Sequence, residues 1–376
     1  MLGLLPTPTT GWFTAIAIAA AVAGVVALWR SPGRWGLPGD LLVSGAAAGL
    51  VGGTGLVVLA TRGLNIFGVA HLAYLAVVVT LPLLGAALAI RTATSDTDGR
   101  PVAGAAAAAL LLPGIVGWYG THVEPRRLRV ERVEVELDED RDGDDPVRIG
   151  VLTDLQTDDP GGYEHDAVDR LLAEEPDLIL LPGDLFQGSP VAFDEHEADM
   201  RALLRRLEAP HGVYLVRGDV DIWDRADRLV AGSDIVLLDD ESVDVEVGDR
   251  RLRIGGHRLR YWSSEAAALR EELDGAPEDG TIRILLAHRP DAALHLPADA
   301  RVDLVVAGHT HGGQIVVPGL GPLFTASEVP RSVATGGLHE IAGNPVYVST
   351  GVGMERGQAP QVRLFAPPSI GILEIG

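Results

Sequence analysis

His309 and His311 stand one residue apart in AGHTHGGQI, residues 307–315, a glycine-rich loop that follows the apolar run 302–306. Imidazoles presented on a loop with few neighbouring side chains are suited to metal ligation or proton transfer. The same arrangement recurs along the chain. Asp154 and Gln156 follow the apolar run 147–152, Asp184 follows 178–181, Asp219 and Asp221 follow 213–216, and His288 follows 282–286. A Gly-Asp after a strand is ordinarily a turn, and a single His is ordinarily a packing residue. Five strand ends that each carry an oxygen or imidazole donor describe a metal site instead, and a mixed carboxylate–imidazole set suits divalent Mn, Fe or Zn.

The elements that must position these donors are legible from periodicity. The runs at 147–152, 178–181, 213–216, 282–286 and 302–306 read as buried strands. Val133, Val135 and Leu137 alternate with Glu as a half-exposed strand, and Val243, Val245 and Val247, then Gly248-Asp249, then Leu252 and Ile254 read as a hairpin. Ala167, Val168, Leu171 and Leu172, and Met200, Leu203, Leu204 and Leu207, fall at helical spacing. Strand–helix alternation followed by hairpins predicts an α/β sandwich with mixed sheets. Ligands in such folds bind outside the carboxyl ends of the strands, where the donors stand. The run 138–145 resembles the start of a calcium loop, but Ile149 occupies the position of the required bidentate Glu, so it reads as a solvated acidic turn.

Charge divides the 376 residues unevenly. Residues 1–120 carry five Arg and three Asp, for +2; residues 121–376 carry 25 Arg and 49 Asp or Glu, for −24. All thirty basic residues are Arg. An acidic, Lys-free surface predicts a halophilic protein, because at 1 M salt the screening length falls to roughly 3 Å and like charges scarcely repel. The same charge argues against nucleic acid as a partner. The absence of cysteine excludes disulfides, thiol catalysis and Cys-ligated zinc.

The first 120 residues predict a transmembrane helical anchor, with spans at about 10–29, 41–60, 66–90 and 102–120. Gly45, Gly49 and Gly53 predict a close-packing face on the second. His71 is expected to be a neutral packing residue. With no paired intramembrane charges, the spans do not read as a transporter. Arg62, Arg126, Arg127, Arg129 and Arg132 against Arg30, Arg34, Arg91 and Arg100 lean toward a cytoplasmic catalytic domain in a multi-pass membrane protein. Residues 121–146 read as an acidic linker and edge strand, and 147–376 as the catalytic domain.

GHTHGGQ at 308–314, APHGVYLVRGDVD at 209–221 and VYVSTGVG at 346–353 resemble the calcineurin-like metallophosphoesterase superfamily, closest to its membrane-associated phosphohydrolases. The resemblance runs from about Val147 to the C-terminus. It implies a four-layer αββα sandwich holding two divalent ions. Asp154, Gln156, Asp184 and His311 would hold the first, and Asp184, Asp219, His288 and His309 the second, with Asp184 bridging. Ions roughly 3.5–4 Å apart would activate a hydroxide for in-line displacement at phosphorus.

Three positions depart from the family pattern. Gln156 stands for a His, Asp219 for an Asn, and Val220 for the His that protonates the leaving oxygen. Asp221 and His257 are the substitutes available as acids, beside Asp184 in the catalytic set. The expected activity is cleavage of a phosphodiester or pyrophosphate, with a lipid-linked substrate at the bilayer as one form. The alternative is a degenerate fold that binds metal or a phosphorylated ligand without turnover. No protein partner can be inferred.

Overall fold

The computed structural model describes residues 10–376 apart from 32–35, 95–99, 138–140, 142, 223 and 277–278. Half of the predicted acidic turn, residues 138–140 and 142, therefore lies outside the described residues. The chain forms two compact units: Met1–Val123 with Glu355–Gln361, and Glu124–Met354 with Val362–Gly376.

The first unit contains α1 (Thr10–Arg30), α2 (Gly36–Ala60), α3 (Ile66–Leu75), α4 (Leu81–Thr94) and α5 (Arg100–His122). A π-helical turn, Ala76–Thr80, joins α3 to α4. Pro82 lacks an N–H and would crowd the carbonyl of Val78 in a regular helix, and the wider turn relieves this. Among the described residues, four helical stretches are long and apolar enough to cross a membrane: Thr10–Arg30, Gly36–Ala60, Ile66–Thr94 and Arg100–Arg126. The second begins earlier than its uncharged core predicted, because Asp40 is taken into the helix and paired with Arg91 at 2.7 Å. The expected glycine face is corrected. A Cβ on Gly45, Gly49 or Gly53 would meet open space, whereas one on Gly24 or Gly55 would strike Leu84 or Ile16 within 3 Å. The packed face of α2 is one residue out of phase with the sequence repeat and carries Ser44, whose hydroxyl donates to the Gly24 carbonyl at 2.7 Å. His71 is buried against Phe13, with ring centroids 4.8 Å apart.

The second unit contains two six-stranded mixed sheets. The first sheet uses β1 (Arg129–Val135), β2 (Val147–Val151), β3 (Leu178–Leu181), β4 (Val213–Leu215) and β5 (Ile235–Leu237). The second uses β6 (Glu241–Val247), β7 (Arg250–Gly256), β8 (Ile282–Leu286) and β9 (Leu304–Ala307). A short hairpin, β10 (Val316–Val317) with β11 (Gly321–Pro322), stands apart. β12 (Gly337–Ile341) and β13 (Asn344–Val348) complete the second sheet, and β14 (Ser369–Ile375) returns to the first. The orders are β1-β14-β2-β3-β4-β5 and β12-β13-β9-β8-β7-β6. β2 through β5 are parallel, as are β7, β8, β9 and β13.

Alternation along the strands decides the layers. Leu178 and Leu180 face one core with Ile254, Ile284 and Val306, while Ile179 and Leu181 face another with Val168, Met200 and Leu203. The first core lies between the sheets. The second is closed by α6 (Gly162–Leu172) and α7 (Pro190–Leu204). α8 (Arg225–Val230) adds Leu229 to it. On the far side, α9 (Ser264–Gly275) and α10 (Arg331–Ala334) cover the second sheet over Leu285, Val305 and Val346. Four layers result, αββα. Helix starts follow the sequence chemistry: Ser189 and Ser263 cap α7 and α9 by accepting from Ala192 N and Ala266 N, each at 3.1 Å.

Candidate metal centre

The loops after β2, β3, β4, β8 and β9 leave their strands at the same edge of the sandwich and bring the expected donors together. Their backbones are unusual. Asp154, Gln156, Asp184, His309 and His311 all have positive φ, between 36° and 72°. Left-handed backbone is costly for residues with a Cβ, and its concentration at five donor positions marks a site that its surroundings hold in place. Gly218 and Gly308 make that convergence possible. A Cβ on Gly218 would lie 2.1 Å from Asp184 Oδ1, and one on Gly308 would lie 2.4 Å from Asp154 Oδ2.

Asp219, His288 and His309 form one group, and Asp154, Asp184 and His288 another; within each group the candidate ligand atoms lie within 4.8 Å of one another. His288 Nδ1 lies 2.7 Å from the Pro182 carbonyl, so that nitrogen carries the proton. Nε2 then faces Asp184 Oδ2 at 3.4 Å and Asp219 Oδ2 at 3.5 Å. His309 is held the opposite way round. Its Nε2 lies 2.9 Å from the Ala326 carbonyl, and Nδ1 faces Asp219 Oδ2 at 3.0 Å. Carbonyl contacts of this kind fix the tautomer and aim the other nitrogen. His311 Nε2 approaches Asp154 Oδ1 at 3.6 Å. Gln156 Nε2 donates to Asp184 Oδ2 at 2.6 Å.

The electrostatics favour added positive charge. Burial, reinforced by Asp154 and Asp221, pushes the Asp184 carboxyl up to about 7 against the pull of His288. Burial works against an imidazolium at His288, yet Asp184, Asp219 and Asp154 outweigh it and raise that group to about 10. Burial also opposes ionisation of Asp219, but hydrogen bonds from His288, His309 and Arg289 hold it well below the carboxylate range. His311 goes the other way: burial lowers it to about 3, so it stays neutral, and its buried Nδ1 has no hydrogen-bond partner. Neutral imidazole, aimed imidazole nitrogens and crowded buried carboxylates form a donor set that fits divalent ions.

Two expected catalytic residues stand elsewhere in the scheme. Asp221 is buried and accepts from Asp184 N, Leu185 N and Gly218 N at 2.7, 2.9 and 2.8 Å. It therefore ties together the loops that carry Asp184 and Asp219. His257 follows β7 as His288 follows β8, but it belongs to neither donor group. It is buried beside Arg270 and His295, and burial lowers it to about 3, leaving no proton to donate near neutral pH. Val220 contributes only its backbone N–H, to Asp184 Oδ1 at 2.9 Å.

Sequence reasoning missed two arginines. Arg289 grips Asp219 with Nε at 3.0 Å and with Nη2. Its position directly after His288 was the available signal. Arg363 is fully buried and donates only to carbonyls, including Thr350 at 2.8 Å, Ala366 at 3.0 Å and His311 at 3.3 Å. It pins the GHTHGG loop to the loop after β13, and nothing in its local sequence announces this.

Two mixed sheets with carboxylates and imidazoles gathered at the carboxyl ends of their strands define a metal-site α/β sandwich. Residues 147–313 match the model of the calcineurin-like phosphoesterase family. The chain shares 29% identity over 286 residues with the metallophosphoesterase YkuE of Bacillus subtilis, covering 72% of this chain and 94% of that one. It shares 29% over 243 residues with the phosphodiesterase YaeI of Escherichia coli, covering 62% and 84%. A metallophosphoesterase of Aquifex aeolicus is 28% identical over 276 residues, covering 69% and 96%. Residues 147–313 of this chain therefore carry a calcineurin-like phosphoesterase domain.

Proposed function

We propose that the chain is a membrane-tethered phosphohydrolase that uses two divalent ions to cleave a phosphodiester or pyrophosphate. The observation that carries this reading is the convergence of Asp154, Asp184, Asp219, His288 and His309 from separate strand ends, with His311 and Gln156 beside them and left-handed backbone at five of these seven positions. Asp154, Gln156, Asp184 and His311 would hold one ion, and Asp184, Asp219, His288 and His309 the other. When bound, such ions supply Lewis-acid charge at the phosphoryl oxygen and lower the pKa of a water. The chain's own residues set the stage. Pro182 and Ala326 carbonyls orient the imidazoles, Asp221 holds two ligand loops, and Arg289 balances Asp219. Similarity to YaeI, named a phosphodiesterase, supports a diester. The four apolar helices support a tether at the bilayer, which brings lipid-linked phosphates within reach as substrates. The excess of acidic residues supports assay in molar salt.

Val220 favours a second reading, a binder without turnover, since it cannot protonate a leaving oxygen. Hydrolysis of bis-p-nitrophenyl phosphate by the detergent-solubilised full chain separates the two. Mn-dependent turnover, removed by chelator and by Asp184→Asn, is expected. Tight Mn binding with no turnover of any diester, monoester or pyrophosphate would establish the binder.

A further inference from the structure

A cavity of about 600 Å³ adjoins the donor cluster, lined among others by Tyr261, Arg289, Leu323, Phe324 and Arg331. Two independent bonds join it to the metal-candidate residues. Arg289, on its wall, holds Asp219, and Ala326, also on its wall, meets His309 through its carbonyl. Ala326 has a φ of +52°, so backbone strain is spent on turning that carbonyl toward the imidazole.

The lining combines two characters. Arg289 and Arg331 bring positive charge into residues 121–376, whose net charge is −24. The wall also carries two acids: Glu328, and Asp291, which accepts from Ser327 Oγ at 2.7 Å and from Glu328 N at 2.6 Å. Beside the arginines, Leu323 and Phe324 are 53% and 49% exposed, and Leu320 on the β10–β11 hairpin is 61% exposed. An arginine that reaches the cluster through Asp219, on the same wall as the apolar side chains of Leu323 and Phe324, matches a phosphorylated group with an apolar substituent. The size is that of a small-molecule site.

We infer that this cavity is the substrate subsite and that it selects organic phosphoesters whose substituent is apolar, a ring or a short alkyl chain, over inorganic or fully polar phosphates. The inference rests on the phosphohydrolase reading and names its substrate class. Arg289 holds the phosphoryl oxygens while it balances Asp219, and Leu323 and Phe324 cover the substituent.

Alkylphosphonates, whose P–C bond resists hydrolysis, test this by calorimetry on the Mn-loaded full chain. From methyl- to butylphosphonate the affinity should rise by about fourfold for each methylene buried. Leu323→Ser with Phe324→Ser should flatten that dependence while elemental analysis shows unchanged Mn content. Arg289→Gln should weaken every member of the series by a similar factor, roughly tenfold or more. An affinity independent of chain length, or a dependence that survives the double substitution, would overturn the subsite. Chain-length-dependent binding together with no turnover of bis-p-nitrophenyl phosphate would instead retire the hydrolase reading and leave the subsite standing.

Discussion

Asp221 separates a structural role from a chemical one, and Asp221→Asn is the perturbation that decides between them. Its Oδ2 accepts from Asp184 N at 2.7 Å and Gly218 N at 2.8 Å, and its Oδ1 accepts from Leu185 N at 2.9 Å. An amide oxygen can take over the two bonds at Oδ2. The amide nitrogen then faces the Leu185 N–H, donor against donor. One buried hydrogen bond to a charged acceptor is lost and its donor is stranded, at a cost of about 3 kcal/mol. For a unit of this size that lowers Tm by roughly 6–12 °C. Because the loops bearing Asp184 and Asp219 are released together, Mn affinity should also fall by about 10–100-fold. Thermal unfolding followed by tryptophan fluorescence and Mn calorimetry, both on the full chain in detergent, read the two effects. A variant with wild-type Tm and Mn affinity that has nonetheless lost turnover would refute this reasoning and make Asp221 a proton donor.

Val220→His should raise kcat on diesters with poor leaving groups by about 10²–10⁴-fold, because the valine side chain has no proton to give a leaving oxygen; an unchanged kcat would show that the acid is supplied elsewhere. His257 is lowered to about 3 by burial, so between its ordinary value of 6.5 and pH 3 the unfolded chain binds a proton that the folded chain refuses. Its contribution to stability is complete above pH 6.5 and falls as pH drops through that window, by up to about 1.4 kcal/mol per pH unit. His257→Gln should make urea-unfolding stability less steep between pH 6 and 4, and an unaltered slope would contradict the assignment. Arg363→Met strands the buried carbonyls of Thr350, Ala366 and His311, so Tm should fall by more than 10 °C; a wild-type Tm would mean those carbonyls find other donors.

The donors were legible because each follows its strand within a few residues. Asp154, Asp184, Asp219, His288 and His309 announce themselves by standing just past apolar runs, and the alternation at Leu178–Leu181 places both faces of that strand in cores. What stayed hidden depends on contacts distant in sequence. Arg289 meets Asp219 across 70 residues, and Arg363 meets His311 across 52. No local pattern reports the left-handed backbone at Asp154 or His311, since these are not glycines. His257 shows the limit of the strand-end rule: it occupies the right place after β7, but its loop buries it beside Arg270 and His295. In the helices, the repeat of Gly45, Gly49 and Gly53 pointed to the wrong face, because periodicity gives spacing but not which side meets a neighbour.

Mn titration of the full chain, followed by elemental analysis and electron paramagnetic resonance, tests the two-ion centre most directly. The account predicts two Mn per chain and an exchange-coupled spectrum from ions that share Asp184, with the coupling lost in Asp184→Asn. A single Mn with the spectrum of an isolated ion, or no retained Mn, would contradict it.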